Sequence, residues 1–274
     1  MQTQYSRYIW NKINNLKKPL ILVCNDDGIT APGILNLIES VKDLADLVVV
    51  APDSPQSGMG HAITIDSTLE VNKVQLDSSL AAIPAYSTNG TPADCVKLAL
   101  HEILDMKPDL CISGINHGAN SSINVIYSGT MSAAIEAGVE GIPAIGFSLL
   151  DFSWNANFSA CHSVVRALVS QALEKGIPEG TVLNVNIPKT DGAPVKGIKV
   201  CRQARANWKE KFDKRISPSG KEYYWLTGDF VLLDQGEDTD IAALEAGYVS
   251  VVPTQFDLTA YHSMTHVNSW DLKL

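Results

Sequence analysis

Leu20-Ile21-Leu22-Val23-Cys24-Asn25-Asp26-Asp27-Gly28-Ile29-Thr30 reads as a buried strand that runs straight into two acids and a glycine. Leu20 to Val23 are apolar on both faces, the pattern of a strand inside a parallel sheet covered on either side. Ionised carboxylates at the end of such a strand are costly unless something pairs with them. Successive strand residues point to opposite faces, so Asp26 and Asp27 converge only if the chain turns there. Gly28 permits the turn, because a residue without a Cβ tolerates positive φ. Two hard oxygen ligands at the carboxyl edge of a strand suit a divalent cation. A solvated acidic turn is the alternative, and this stretch alone leaves the two readings level.

Downstream, strand and helix alternate. Thr30 is placed to cap a helix whose first turn accepts Pro32, and Ile34, Leu37, Ile38, Val41 and Leu44 fall on one helical face. Leu47–Val50 is a second buried strand, followed by a Ser/Gly-rich loop through Gly60. Residues 61–88 carry short β-like runs between polar turns and are expected beside the sheet. Thr91-Pro92-Ala93-Asp94 opens another helix, with Val96, Ala99, Leu100 and Ile103 on one stripe. Leu110–Ile112 is a third strand entering the Gly/Asn/Ser loop Ser113–Asn124. A helix from Thr130 to Gly138, a strand Ala144–Phe147, a helix His162–Leu173 and a strand Val182–Ile187 complete the run. The expectation is an α/β fold with a doubly wound, mostly parallel sheet, whose strand-to-helix turns share the ligand-binding edge.

Beyond Pro188 the rhythm breaks. Ile198–Cys201, Tyr223–Leu226 and Phe230–Leu233 surround a polar tip at 217–220, which reads as a long hairpin arm over 197–235. The arm holds Arg202, Arg205, Lys209, Lys211, Lys214, Arg215 and Lys221, and a solvated arm is favoured over an anion-attracting one. Thr239-Asp240 caps a helix through Ala246, and Tyr248–Val252 is a strand. Residues 1–19 are polar and mildly basic and read as an N-terminal extension; 20–274 read as one domain including the arm.

Composition narrows the function. A net charge of −9 argues against a general binder of nucleic acid or of membrane surfaces, which would need basic excess. The five cysteines are odd in number and lack CxxC spacing, so reduced, buried thiols in a cytosol are expected. No apolar run reaches membrane-spanning length, and no secretory pattern opens the chain.

Four loops leave the ligand-binding edge. The first supplies Asp26 and Asp27, the second Ser54, Ser57 and Gly58, and the third (Gly114 to Asn120) two carboxamides, Asn116 and Asn120. The fourth, Tyr127-Ser128-Gly129-Thr130, opens a helix whose N–H groups and hydroxyls suit a phosphate. Oxygen donors without Cys or clustered His select Mg²⁺ or Mn²⁺ over zinc. Taken singly, the glycine–asparagine loop is ordinary turn chemistry, Ser128 is a routine N-cap, and His117 is a scaffold residue. The other histidines (61, 101, 162, 262, 266) show no metal-binding spacing on an expected helix; His262 and His266 are four apart on a segment with no helical stripe.

Asn25-Asp26-Asp27-Gly28-Ile29-Thr30-Ala31-Pro32-Gly33, Ala51-Pro52-Asp53 with Ser57-Gly58, Asn89-Gly90-Thr91-Pro92-Ala93-Asp94-Cys95-Val96, Ser113-Gly114-Ile115-Asn116-His117-Gly118-Ala119-Asn120 and Tyr127-Ser128-Gly129-Thr130 closely resemble the SurE family of metal-dependent nucleotidases. The resemblance covers roughly residues 20–260 and ends with Thr239-Asp240 and Gly247-Tyr248-Val249-Ser250. It implies a Rossmann-like core, phosphatase activity on nucleoside monophosphates, and one divalent cation per subunit, Mg²⁺ or Mn²⁺. By the same resemblance Asp26, Asp27, Ser57 and Asn116 are the metal ligands, and Asn120, Ser128, Gly129 and Thr130 contact the phosphate. It further implies a homodimer or homotetramer that exchanges C-terminal arms. The chain departs from the family pattern at residues 1–19, because members usually begin just before the first strand, and at Cys24, where a small hydroxyl or alanine is common.

The reading is a cytoplasmic phosphomonoesterase that hydrolyses nucleoside 5′- or 3′-monophosphates by attack of metal-activated water, with Asp26 and Asp27 catalytic. The alternatives are a nucleotide-binding regulator without turnover, which would not need paired acids, and an enzyme acting mainly on short polyphosphate. A dinucleotide oxidoreductase is excluded, since no GxGxxG follows the first strand.

Overall fold

The structure is a computed structural model that describes residues 18–272 apart from 78 and 191. The expected N-terminal extension therefore lies outside the described residues as far as residue 17. The element order is β1 (Leu20–Cys24), α1 (Pro32–Val41), β2 (Asp46–Pro52), β3 (Val71–Lys73), β4 (Ala85–Thr88), α2 (Pro92–Leu98), β5 (Leu110–His117), α3 (Gly129–Val139), β6 (Ala144–Leu149), α4 (Ser159–Lys175), β7 (Thr181–Ile187), β8 (Ile198–Val200), β9 (Ala206–Ile216), β10 (Glu222–Leu232), α5 (Asp240–Glu245), β11 (Val249–Gln255) and α6 (Tyr261–Asn268).

A nine-stranded sheet has the order β3-β4-β2-β1-β5-β6-β7-β11-β8. Its strands β4 to β7 are all parallel neighbours. At one end β3 runs antiparallel to β4; at the other β11 runs antiparallel to β7, with β8 parallel to β11. The order reverses between β1 and β5: β2 and β4 build outward on one side, β6 and β7 on the other. Such a reversal opens a crevice beyond the carboxyl ends of the two strands, where sheets of this kind bind ligands.

The strand β1 shows why the sheet is covered twice. Ile21 and Val23 join Ile34, Leu37, Ile38 and Val41 of α1 and Val165 and Val169 of α4 in one core cluster. Leu22 and Cys24, alternating with them, join Val96 of α2 and Met131 and Ala134 of α3 in the other. Each of these large side chains contributes roughly 1.5–3 kcal/mol by leaving water. Gly33 lets α1 close onto β5, since a Cβ there would stand 1.9 Å from the Ile115 carbonyl oxygen.

Several boundaries differ from the sequence reading. The N-cap of α1 is Ala31, not Thr30: Gly28, at φ 99°, starts a turn closed by the Ala31 N–H to Gly28 O bond of 3.0 Å, so helix begins at Pro32. Residues 61–88, expected beside the sheet, contribute two strands to it: β4 pairs with β2, with Ala85, Ser87 and Thr88 buried, and β3 forms the edge. Residues 114–117, expected in a loop, continue β5 across a register shift between Ser113 and Asn116. The arm is β9 paired with β10 alone, whereas Ile198–Val200 belongs to the main sheet as β8. His262 and His266 do stand on a helix, α6, which has no buried residues. All five cysteines are free and buried. No helix of the described residues is long and apolar enough to cross a membrane.

Candidate active site

The crevice between β1 and β5 gathers the chemistry. Asp26 leaves β1 almost fully buried, at 4% exposure. One carboxylate oxygen, Oδ1, accepts the Thr130 hydroxyl proton at 2.5 Å, and the Asp26 carbonyl accepts the Gln56 N–H at 2.7 Å. Gly129 forms the wall beside it, where a Cβ would fall 2.9 Å from Asp26 Oδ2. Burial, and then the neighbouring Asp27 carboxylate, push the Asp26 pKa up to about 6 against the opposing Thr130 hydrogen bond. Asp27 is partly exposed; burial raises its pKa also, opposed by the His117 N–H that donates to its Oδ2 at 3.1 Å.

The second loop is tied in at both ends. Gln56 N–H bonds Asp26 O, and Gly60 N–H bonds Tyr127 O at 3.1 Å. Ser57 and Gly58 (φ 75°) lie between these ties, with Ser57 exposed. Ser54 instead bonds its neighbour Asp53 at 2.8 Å and serves the turn. From β5 comes Asn116, whose Nδ2 donates to Gly118 O at 2.8 Å, so that Oδ1 is the side-chain atom suited to a cation.

These groups form a donor set that fits a hard cation. Two desolvated carboxylates on consecutive residues repel each other, and a dication placed between them removes that penalty. No group of three or more His, Cys, Asp or Glu among the described residues could hold a metal. A cation here would therefore add hydroxyl and carboxamide oxygens to the two acids, a set suited to Mg²⁺ or Mn²⁺.

The opposite wall is the start of α3. Ser128 is its N-cap and accepts the Met131 N–H at 3.0 Å. Gly129 and Thr130 follow in the first turn, where N–H groups have no partner within the helix, and the Thr130 N–H turns to the Asp26 carboxylate. The Thr130 hydroxyl, expected on phosphate, is committed to Asp26, and its backbone N–H bonds the same carboxylate, which leaves the Gly129 N–H as the candidate group for an anion. Asn120 is held on three sides. Its N–H donates to Asn186 Oδ1 at 2.8 Å, its carbonyl accepts from Asn184 Nδ2 at 2.8 Å, and its Nδ2 donates to Ser148 Oγ at 2.8 Å. His117 is a scaffold residue: its ring stacks on Trp154 at 5.5 Å, meets the edge of Phe158 at 5.1 Å, and places Nδ1 2.8 Å from Ser153 O.

Sequence reasoning missed Ser148, Asn184 and Asn186. A signal was present, since two asparagines spaced by two in the apolar strand Thr181–Ile187 must share one face.

Comparison with known proteins places the chain. The family model "Survival protein SurE" matches residues 21–210. A protein of Flavobacterium psychrophilum named 5'-nucleotidase SurE is 63% identical over 257 residues, covering 94% of this chain and 99% of its own. One of the same name from Christiangramia forsetii is 65% identical over 258 residues, with the same coverage of each chain. The crystal structure of the SurE protein from Aquifex aeolicus superposes with a TM-score of 0.78 at 43% identity, covering 91% of this chain and 98% of that one. With a family model matched over 21–210 and relatives 63% and 65% identical over 94% of the chain, the chain belongs to the SurE family.

Proposed function

We propose that the protein is a metal-dependent 5′-nucleotidase, which converts nucleoside 5′-monophosphates to nucleoside and phosphate. The observation that carries the reading is the adjacent pair of buried Asp26 and partly exposed Asp27 at the crevice between β1 and β5, with Asp26 held against the start of α3. The names of the relatives support the substrate class. The nucleoside 3′-monophosphates and short polyphosphate are secondary substrates of the same site. The protein works in the cytoplasm as a homodimer or homotetramer, with residues from 20 onward forming one domain and its arm.

Asp26, Asp27, Ser57 and Asn116 would hold one Mg²⁺ or Mn²⁺ per subunit. Bound there, the cation would supply Lewis acidity toward phosphate and water. The chain does the rest. The Gly129 N–H and the positive end of α3 receive the phosphate oxygens, with Ser128 shaping that turn. Asn120 donates an amide N–H to the same group. The Thr130 hydroxyl fixes the rotation of the Asp26 carboxylate. Asp27, the more exposed acid, is the base that takes the proton of the attacking water.

Phosphate release should be measured over a panel of nucleoside 5′- and 3′-monophosphates and short polyphosphate, with Mg²⁺, Mn²⁺ or chelator. Release from 5′-monophosphates that stops on chelation and returns with either cation is expected. Nucleotide binding without release would establish the regulator instead, and full activity in excess chelator would remove the metal.

A further inference from the structure

We infer that Ser148 is a positioning residue for phosphate binding, acting through Asn120; the inference rests on the phosphatase reading above. Ser148 sits near the carboxyl end of β6, fully buried, and its Oγ accepts one N–H of the Asn120 carboxamide at 2.8 Å. An amide nitrogen carries two N–H groups, so this bond fixes the carboxamide plane and leaves the second N–H for an acceptor.

The Asn120 backbone is fixed separately. On β7, Asn184 and Asn186 face the same side, and Asn186 Nδ2 donates to Asn184 Oδ1 at 2.9 Å. Together they take the Asn120 N–H and carbonyl, as a neighbouring strand would. All four side chains are buried, the most exposed being Asn120 at 6%. The asparagine pair thus sets where Asn120 stands, and Ser148 sets how its amide is turned. Without Ser148 the amide rotates about its last torsion, and binding must pay the cost of ordering it.

The test is a double-mutant cycle on Ser148→Ala and Asn120→Ala. Its readouts are KM, kcat and the inhibition constant of inorganic phosphate, with p-nitrophenyl phosphate as substrate beside a nucleotide. Ser148→Ala should raise KM and the phosphate inhibition constant by about 10-fold with a smaller change in kcat, the mark of a lost binding geometry. Asn120→Ala should do the same, and the double variant should be no worse than Asn120→Ala alone, since the two residues act as one unit. Ser148→Thr, which keeps the hydroxyl, should restore the parent KM.

Single effects that multiply in the double variant would overturn the inference, as would an unchanged phosphate constant in Ser148→Ala. Should Ser148→Ala fail to fold, Ser148→Cys keeps the volume with a weak acceptor, and the same criteria apply to it. A protein that cleaves p-nitrophenyl phosphate but no nucleotide would defeat the nucleotidase reading while leaving this cycle fully measurable.

Discussion

At Asp26 and Asp27 the same chemical group carries two loads. Asp26 is enclosed by Gly129 and hydrogen-bonded by Thr130, whereas Asp27 reaches solvent and takes only a backbone N–H. Asp27→Asn keeps the shape and one acceptor oxygen but removes a charge facing the cation. Turnover should fall by at least about 100-fold with the melting temperature nearly unchanged, because the pair no longer repels itself in the folded state. Near-parent turnover in that variant would take Asp27 out of the site. The nucleophile follows from the same geometry. A carboxylate could attack phosphorus to give an aspartyl-phosphate, or water could attack directly. Asp26 directs Oδ1 at Thr130, and both acids are assigned to the cation, which weakens a carboxylate as a nucleophile. Direct attack predicts inversion of configuration with a chiral phosphate ester; retention, or a phosphoenzyme trapped on either acid, would exclude it.

Between single residues and the whole chain, α3 links the site to a buried ion cluster. Its start is the wall proposed for phosphate, and one face carries Glu136, whose carboxylate is 2.7 Å from His61 Nε2 and 2.5 Å from Lys97 Nζ. The His61 hydrogen bond, resisted by burial and reinforced by Lys97, holds the Glu136 carboxyl below its ordinary range. A carboxylate with a depressed folded pKa contributes stability above its unfolded pKa, and that contribution is lost as pH falls through the folded value. Glu136→Gln should therefore cost about 1–2 kcal/mol at pH 7, the range for a hydrogen bond to a charged group with partly exposed partners. The gap between parent and variant should close in thermal melts as pH drops through the acid range. A gap that is constant with pH would mean the loss is one of packing. Elements of this kind were largely legible. The capping box of Thr91 and Asp94, the stripe on α1 and the two-faced β1 are local patterns and formed where the sequence placed them. What escaped is non-local. The Thr130–Asp26 bond spans 104 positions, and the grip of Asn186 on Asn120 spans 66. The length of β5 was hidden because Gly114 to His117 look like a loop until β6 is there to pair with them.

On the scale of the whole molecule, the hairpin of β9 and β10 is the part that its own fold does not explain. Its two strands pair with each other over Ala206 to Leu232 and, among the described residues, with no other strand. Its cations, which might have drawn anions to the site, are largely used along its own length: Lys211 pairs with Asp229, Lys214 with Glu222 and Arg215 with Asp213. Only its root is fastened, through Trp208 Nε1 to Asn124 Oδ1 at 2.8 Å and through Arg202 to Asp234 and Asp238. A two-stranded ribbon is marginal in water by itself. Yet this one exposes Phe212, Tyr224, Trp225 and Leu226, each more than half open to solvent. Aromatic surface of that extent on a polar ribbon is expected to be covered by another copy of the chain. Replacing residues 210–228 by a short Gly/Ser turn leaves the root contacts intact and removes the aromatic tip. Light scattering should then report a smaller particle than the parent. The exposed α6, with Tyr261 open on it and Trp270 open just beyond its end, offers a second contact that can hold a residual dimer together. A parent that is already monomeric, or an assembly unchanged by the deletion, would show that the arm serves something other than association.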